Sequence, residues 1–149
     1  MAVNPDFVGR SYPSTEPYAV DAALIASFAA AVGAHDPVHT DAEAARAAGY
    51  ADVVAPPTLV VRFSQEAERA YVTDPDAGID YTRVVHGEQR FVHHRPITAG
   101  DEVTGTTTVD AVRQAGGHAM ITTRTEISTA SGEALATAMS TIVVRGGED

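Results

Sequence analysis

Between Gly33 and Asp41 the chain reads Gly-Ala-His-Asp-Pro-Val-His-Thr-Asp, which sets imidazoles and carboxylates around a proline-fixed turn. An unperturbed imidazole titrates at about 6.5, so His39 can take or deliver a proton near neutrality, and Asp36 sets a carboxylate on the same turn. Taken alone, these residues also suit a plain structural part. Asp36 before Pro37 is an ordinary turn former, His39 can bond to backbone, and Thr40-Asp41 is an ordinary helix start. Elsewhere the chemistry thins out. His93 and His94 are neighbours on a strand and point to opposite faces, so they cannot share one ligand. His86, His118 and Glu88 show no ligand spacing, and no metal is expected. Gly116-Gly117 reads as a hairpin turn and not a phosphate loop, because no helix follows it. The chain has no Cys, which excludes disulfides, thiolate zinc sites and Cys nucleophiles.

The elements that must hold the His39 turn follow from periodicity. Asp21 caps a helix to about Val32, with Leu24, Ile25, Phe28 and Val32 at helical spacing and Gly33 as its stop. Residues 1–15 read as loop, with an edge strand near Tyr18 to Val20. Asp41 to Ala48 is a short Ala-rich helix ended by Gly49. Pro56-Pro57 then introduces a helix from about Thr58 to Val72, since proline is tolerated where the first N–H groups have no intrahelical partner. Its apolar stripe is Leu59, Val60, Phe63, Ala67, Ala70 and Tyr71, with Arg62, Gln65, Glu66 and Arg69 opposite. From Thr82 the period shifts towards two. Strands are predicted near Thr82 to Arg95, Glu102 to Arg113, His118 to Ser128 and Glu133 to Arg145, divided by Gly100-Asp101, Gly116-Gly117 and Ser131-Gly132. On the third strand Ala119, Ile121, Thr123, Thr125 and Ile127 share the face expected to be buried. One amphipathic helix followed by long antiparallel strands implies an α+β domain, the sheet curving around the helix.

With 149 residues the chain has room for one domain, taken as residues 1–149, with a loose tail from Gly146. Apolar residues make up 44% and charged residues 20%, an ordinary globular balance that excludes disorder as the ground state. No apolar run approaches the roughly 20 residues that span a bilayer, and the first residues lack a basic, hydrophobic leader, so an unexported, cytoplasmic protein is expected. Net charge is −10, from 20 acidic against 10 basic residues, which opposes nucleic-acid binding because the bases are scattered. All the bases are Arg, whose planar fork can still grip the phosphates of a carrier.

The stretch Gly33 to Asp41, followed by Ala45, Gly49-Tyr50 and Val54-Ala55-Pro56-Pro57-Thr58, resembles the hydratase motif Gly-Asp-x-Asn-Pro-x-His of the MaoC-like, hot-dog-fold (3R)-hydroxyacyl thioester dehydratases. Gly33, Pro37 and His39 match in register. Gln89-Arg90-Phe91, Pro96 and Gly100-Asp101 resemble the strand and hairpin that follow the central helix in those proteins. The combination looks closest to the UPF0336 branch, the HadA/HadC-like subunits. The resemblance covers nearly the whole chain.

It implies a single hot-dog domain that dimerises through sheet edges, alone or with a MaoC-like subunit, and an acyl-CoA or acyl carrier protein thioester as substrate. No redox or metal cofactor is implied. The site residues it implies are His39 as acid/base with Asp36 as helper. The oxyanion donor falls on the N–H of Thr58 or Leu59, because the family's glycine is here Pro57. The family's aspartate, five residues before the histidine, is here Ala34. Two function classes therefore stand side by side: a dehydratase, reversible as an (R)-specific enoyl hydratase, and a non-catalytic acyl-binding subunit that pairs with a catalytic MaoC-like chain. A thioesterase on this fold is less favoured, because Glu66 and Glu68 are expected on the helix's polar side.

Overall fold

Asp21 starts the first helix by accepting the Leu24 N–H on its side chain at 2.7 Å, and the helix, α1 (Ala22–Val32), buries Ile25 and Ala29. The same device recurs at Asp41, whose carboxylate accepts the Glu43 N–H at 2.9 Å ahead of α2 (Ala42–Ala47). The computed structural model describes residues 2–147, so the last two positions of the expected tail lie outside the described residues. The Pro-Pro segment does not open directly into α-helix. Pro57–Leu59 forms a 3-10 turn, and α3 (Val60–Val72) follows it.

Four long strands, β2 (Val84–His93), β3 (Glu102–Ala115), β4 (His118–Thr129) and β5 (Ala134–Val144), join the two-residue β1 (Tyr18–Ala19) in one antiparallel sheet, ordered β1-β3-β4-β5-β2. The second strand starts at Val84 and not Thr82 because Asp80 caps a 3-10 turn at Tyr81–Arg83, accepting the Thr82 N–H. It ends at His93 because the N–H groups of both His94 and Arg95 converge on the Leu135 carbonyl, which bends the chain out of the ladder. The face of β4 that carries Ala119, Ile121, Thr123, Thr125 and Ile127 is buried, as the alternation requires.

The sheet curls around α3, which packs across β3, β4 and β5 and approaches the outer strand β2 more loosely. Gly105 permits the closest approach, since a Cβ there would lie 3.1 Å from that of Ala67. This is the α+β, hot-dog arrangement of a helix inside a wrapped antiparallel sheet. Leu59, Val60, Phe63, Ala67 and Tyr71 are buried as the stripe implied, but Ala70 is exposed, on the rim the sheet does not reach. The interior has two apolar clusters. One gathers Leu59, Phe63, Val103, Ile127 and Leu135; the other gathers Phe7, Tyr71, Val109, Ile121 and Ile142. Between them runs a polar belt, in which Thr107 and Thr125 share a 2.7 Å hydrogen bond and Thr123 donates to Glu68 at 2.7 Å. Among the described residues no helix is long and apolar enough to cross a membrane.

Phe63 is 6% exposed, and truncating a buried phenylalanine costs about 3 to 5 kcal/mol. Phe63→Ala should lower the melting temperature by roughly 6 °C or more in a calorimetric scan. A shift under about 2 °C would show that α3 is not the core helix.

Candidate active site

The His39 turn is built from its own sequence. Asp36 accepts the Val38 N–H on its side chain at 3.0 Å and the His39 N–H on its carbonyl at 3.1 Å, closing a 3-10 turn over Pro37–His39. A second segment locks this turn from the side. The Val54 N–H donates to the Val38 carbonyl at 3.0 Å, and the His39 ring returns a bond from Nδ1 to the Val54 carbonyl at 2.7 Å. A carbonyl only accepts, so Nδ1 carries the proton and, in the neutral ring, Nε2 is left with its lone pair. The backbone-bonded reading of His39 is what the structure shows: the bond orients the ring and leaves Nε2 as the nitrogen free of it.

Residues 53–55 are held in turn by the turn after β2, through Ala55 N–H to the Ile97 carbonyl at 2.8 Å and Ala99 N–H to the Val53 carbonyl at 3.0 Å. Arg95 anchors that turn, gripping Asp101 with two bonds of 2.9 and 3.0 Å and Glu133 with two of 2.9 and 3.1 Å. Burial alone would raise the Asp101 pKa; the Arg95 guanidinium and the Thr98 N–H outweigh it and hold the carboxyl below its ordinary value.

These segments enclose a mostly apolar cavity of about 420 Å³, lined by Asp36, Val38, His39, Tyr50, residues 54–57, Val60, His93, Pro96 and Ile97. It thus brings His39 and Asp36 together, with Asp36 at the exposed rim. It also brings in His93 from the opposite wall and Tyr50, to which the sequence analysis gave no part in the site; His94 turns away to Thr137, 3.1 Å from its hydroxyl. Ala34, half-buried just past α1, offers no carboxylate, and Pro57 lines the cavity without an N–H. Leu59 is corrected as an oxyanion donor, because its N–H is already given to the Pro56 carbonyl at 3.0 Å and its side chain is fully buried. Thr58 lies outside this lining, and no acceptor among the described residues takes its N–H. Those residues hold no group of three or more His, Asp or Glu placed to share a metal ion.

Glu68 needs a second correction. Val60, Ser64 and Glu68 fall at i, i+4 and i+8, one stripe of α3, and the curled sheet covers that stripe as well. Glu68 is 9% exposed, its Oε1 accepting the Thr123 hydroxyl. Burial pushes its pKa up, partly offset by the Thr123 hydrogen bond and by His86.

Residues 6–138 match the model of a family described as the FAS1-like dehydratase domain region. A UPF0336 protein of Leifsonia xyli subsp. xyli is 50% identical over 148 residues, 99% of each chain. Among solved structures, a MaoC-like dehydratase superimposes with a TM-score of 0.86 at 30% identity, over 95% of this chain; the match spans 43% of that longer chain. The truncated HadBC (3R-hydroxyacyl-ACP dehydratase) complex from Mycobacterium tuberculosis superimposes with a TM-score of 0.83 at 28% identity, over 93% of this chain and 97% of that one. The fold is that of the MaoC-like, hot-dog dehydratase class. Within it the chain belongs to the FAS1-like dehydratase family, in its UPF0336 branch.

The buried Glu68 gives stability a pH signature. A carboxyl whose folded pKa lies above its ordinary 4.5 holds its proton more tightly when folded, so its contribution is full in acid and is lost as pH rises through the folded value. Glu68→Gln should melt higher than wild type at pH 8, with the difference shrinking towards pH 4.5. Parallel melting profiles for the two proteins across that range would overturn this assignment.

Proposed function

We propose that the chain acts on (3R)-hydroxyacyl thioesters of coenzyme A or acyl carrier protein, eliminating water to the 2-enoyl thioester and running in reverse as an (R)-specific enoyl hydratase, with His39 as its acid/base. The observation that carries this reading is the 2.7 Å bond from His39 Nδ1 to the Val54 carbonyl, which leaves Nε2 as the basic atom on the wall of a cavity sized for a small ligand. In the dehydration direction Nε2 accepts the C2 proton, electrons from that C–H bond form the C2–C3 double bond, and the protonated ring delivers its proton to the departing C3 hydroxyl as water. Asp36, on the same turn, orients the water in the hydration direction. The thioester oxygen gains negative charge as C2 loses its proton; Pro57 has no N–H and Leu59's is taken, so the Thr58 N–H, just beyond the Pro57 wall of the cavity, is the donor proposed for it.

A second reading has its own support. Ala34 and Pro57 remove a carboxylate and an N–H where the resemblance places them, which suits an acyl-binding subunit working beside a MaoC-like chain with both groups intact. The HadBC complex is a solved assembly of this kind of fold. The outer edge of β2, with Val85 and Val92 exposed, is the surface for such pairing, with a second copy or with that partner.

The experiment is hydration of crotonyl-CoA and longer 2-enoyl-CoA esters by wild type, His39→Ala and Asp36→Asn, each alone and with a MaoC-like partner. Turnover by wild type alone, abolished in His39→Ala with the melting temperature nearly unchanged, is the expected result. Activity surviving in His39→Ala removes His39 from the mechanism. Turnover only with the partner, indifferent to both substitutions, assigns this chain the acyl-binding part.

A further inference from the structure

The inner face of β2 ends in an imidazole. The ladder slips one residue between His86 and Glu88, at Gly87, and is regular beyond it. Gln89, Phe91 and His93 then pair with Ser140, Ala138 and Ala136, all buried, so these three side chains stand on the covered face of the sheet. Gln89 gives an amide N–H to the Met139 carbonyl at 3.1 Å, and Phe91 packs onto the core. His93 instead reaches the wall of the His39 cavity, where its ring lies against Phe91 with the ring centroids 6.0 Å apart.

The nitrogens of this ring are unlike those of most other histidines in the chain. His39, His86, His94 and His118 each have a ring nitrogen hydrogen-bonded within the protein, whereas among the described residues nothing bonds either nitrogen of His93. The residue is exposed, so water satisfies both nitrogens. A ligand entering the cavity displaces that water, and the surrounding wall of Val38, Pro56, Pro57, Val60 and Ile97 offers no polar side chain in exchange. The ligand must then bring a polar atom to the imidazole or leave it unpaired. A neutral imidazole has one N–H and one lone pair, and with no protein bond to choose between them either nitrogen can present the donor. His39 is committed in the opposite sense, since its Nδ1–H is held by the Val54 carbonyl and Nε2 can only accept until it has taken a proton. One wall of the cavity thus carries an oriented acceptor and another an uncommitted donor.

We propose that His93 is a second catalytic residue of the His39 site, donating its ring N–H to the oxygen on C3 of the acyl chain. This rests on the dehydratase reading. There the C3–O bond breaks with its electron pair going to oxygen, and the proton that His39 took from C2 completes the water. A hydrogen bond aimed at that oxygen strengthens as its negative charge grows. His93 keeps its own proton throughout, so the step needs no further reactant. In the hydration direction the same N–H holds the attacking water by one lone pair, leaving the other for C3 while its hydrogens face His39 and Asp36.

The test is steady-state hydration of crotonyl-CoA and longer 2-enoyl-CoA esters by wild type, His39→Ala, His93→Gln, His93→Leu and His93→Ala, each alone and with a MaoC-like partner. His93→Leu should lower kcat about 100-fold, the effect of removing one donor to a developing oxyanion, with KM within about twofold of wild type. His93→Gln, whose amide still donates, should recover about tenfold of that loss, and added imidazole should raise the rate of His93→Ala. The melting temperatures should match, because the residue is exposed. A rise in KM with kcat unchanged, or Gln and Leu variants equally impaired with no response to imidazole, makes His93 a passive wall and overturns the proposal. Turnover that needs His39 but is indifferent to His93→Leu removes His93 alone and leaves the dehydratase reading standing. No hydration by wild type in either setting, or turnover indifferent to His39→Ala, removes both.

Discussion

The bond from His39 to the Val54 carbonyl is the constraint on which the candidate site depends, because it fixes the direction of the imidazole. It is only as firm as Val54, and Val54 is firm because residues 53–55 are laddered to residues 97–99. Those residues are fixed by Asp101 and Arg95, and Arg95 reaches on to Glu133 at the start of the last hairpin strand. Helix-borne and sheet-borne parts of the chain thus meet at one ring nitrogen. The ion cluster is partly exposed, so its value lies in geometry more than in net energy: the guanidinium fork sets the direction of two carboxylates at once.

The second organising feature is the helix inside the sheet. Wrapping buries more of α3 than one apolar stripe requires, so the fold accommodates Ser64 and Glu68 on covered surface, the first satisfied by the Val61 carbonyl and the second by Thr123. The threonines of β3 and β4 do the complementary work. A threonine fits the strand's preference for β-branched residues while carrying a hydroxyl inward, which is how a sheet interior rich in threonine stays hydrogen-bonded.

Most of the architecture was legible in the sequence because its signals are local. Asp21 and Asp41 announce helix starts, Gly116-Gly117 announces a hairpin, and the alternation on β4 gives the buried face residue by residue. The site was legible only in part. His39 and Asp36 lie on one turn and could be read together, whereas His93 and Tyr50 reach the same cavity from separate segments through long-range pairing that no local pattern reports. Glu68 was misplaced because a stripe drawn from apolar residues assumes a flat neighbour, and a curled sheet covers a wider arc. Leu59 failed as a donor for a simpler reason: a 3-10 turn closes its bonds three residues back, which uses the N–H that an α-helical start would leave free.

The two margins of the sheet are unlike. Along β3 the outer margin is already occupied, by β1 and by the N-terminal segment, which gives Gly9, Tyr12 and Thr15 N–H groups to the carbonyls of Val109, Thr107 and Gly105. The margin along β2 carries no such cover among the described residues, and the bulge at Gly87 interrupts it. A ribbon that offers one sealed side and one open side has a valency of one. Joined open side to open side, two chains exhaust each other's free margins, so growth by edge pairing terminates at the pair and cannot run on into a filament.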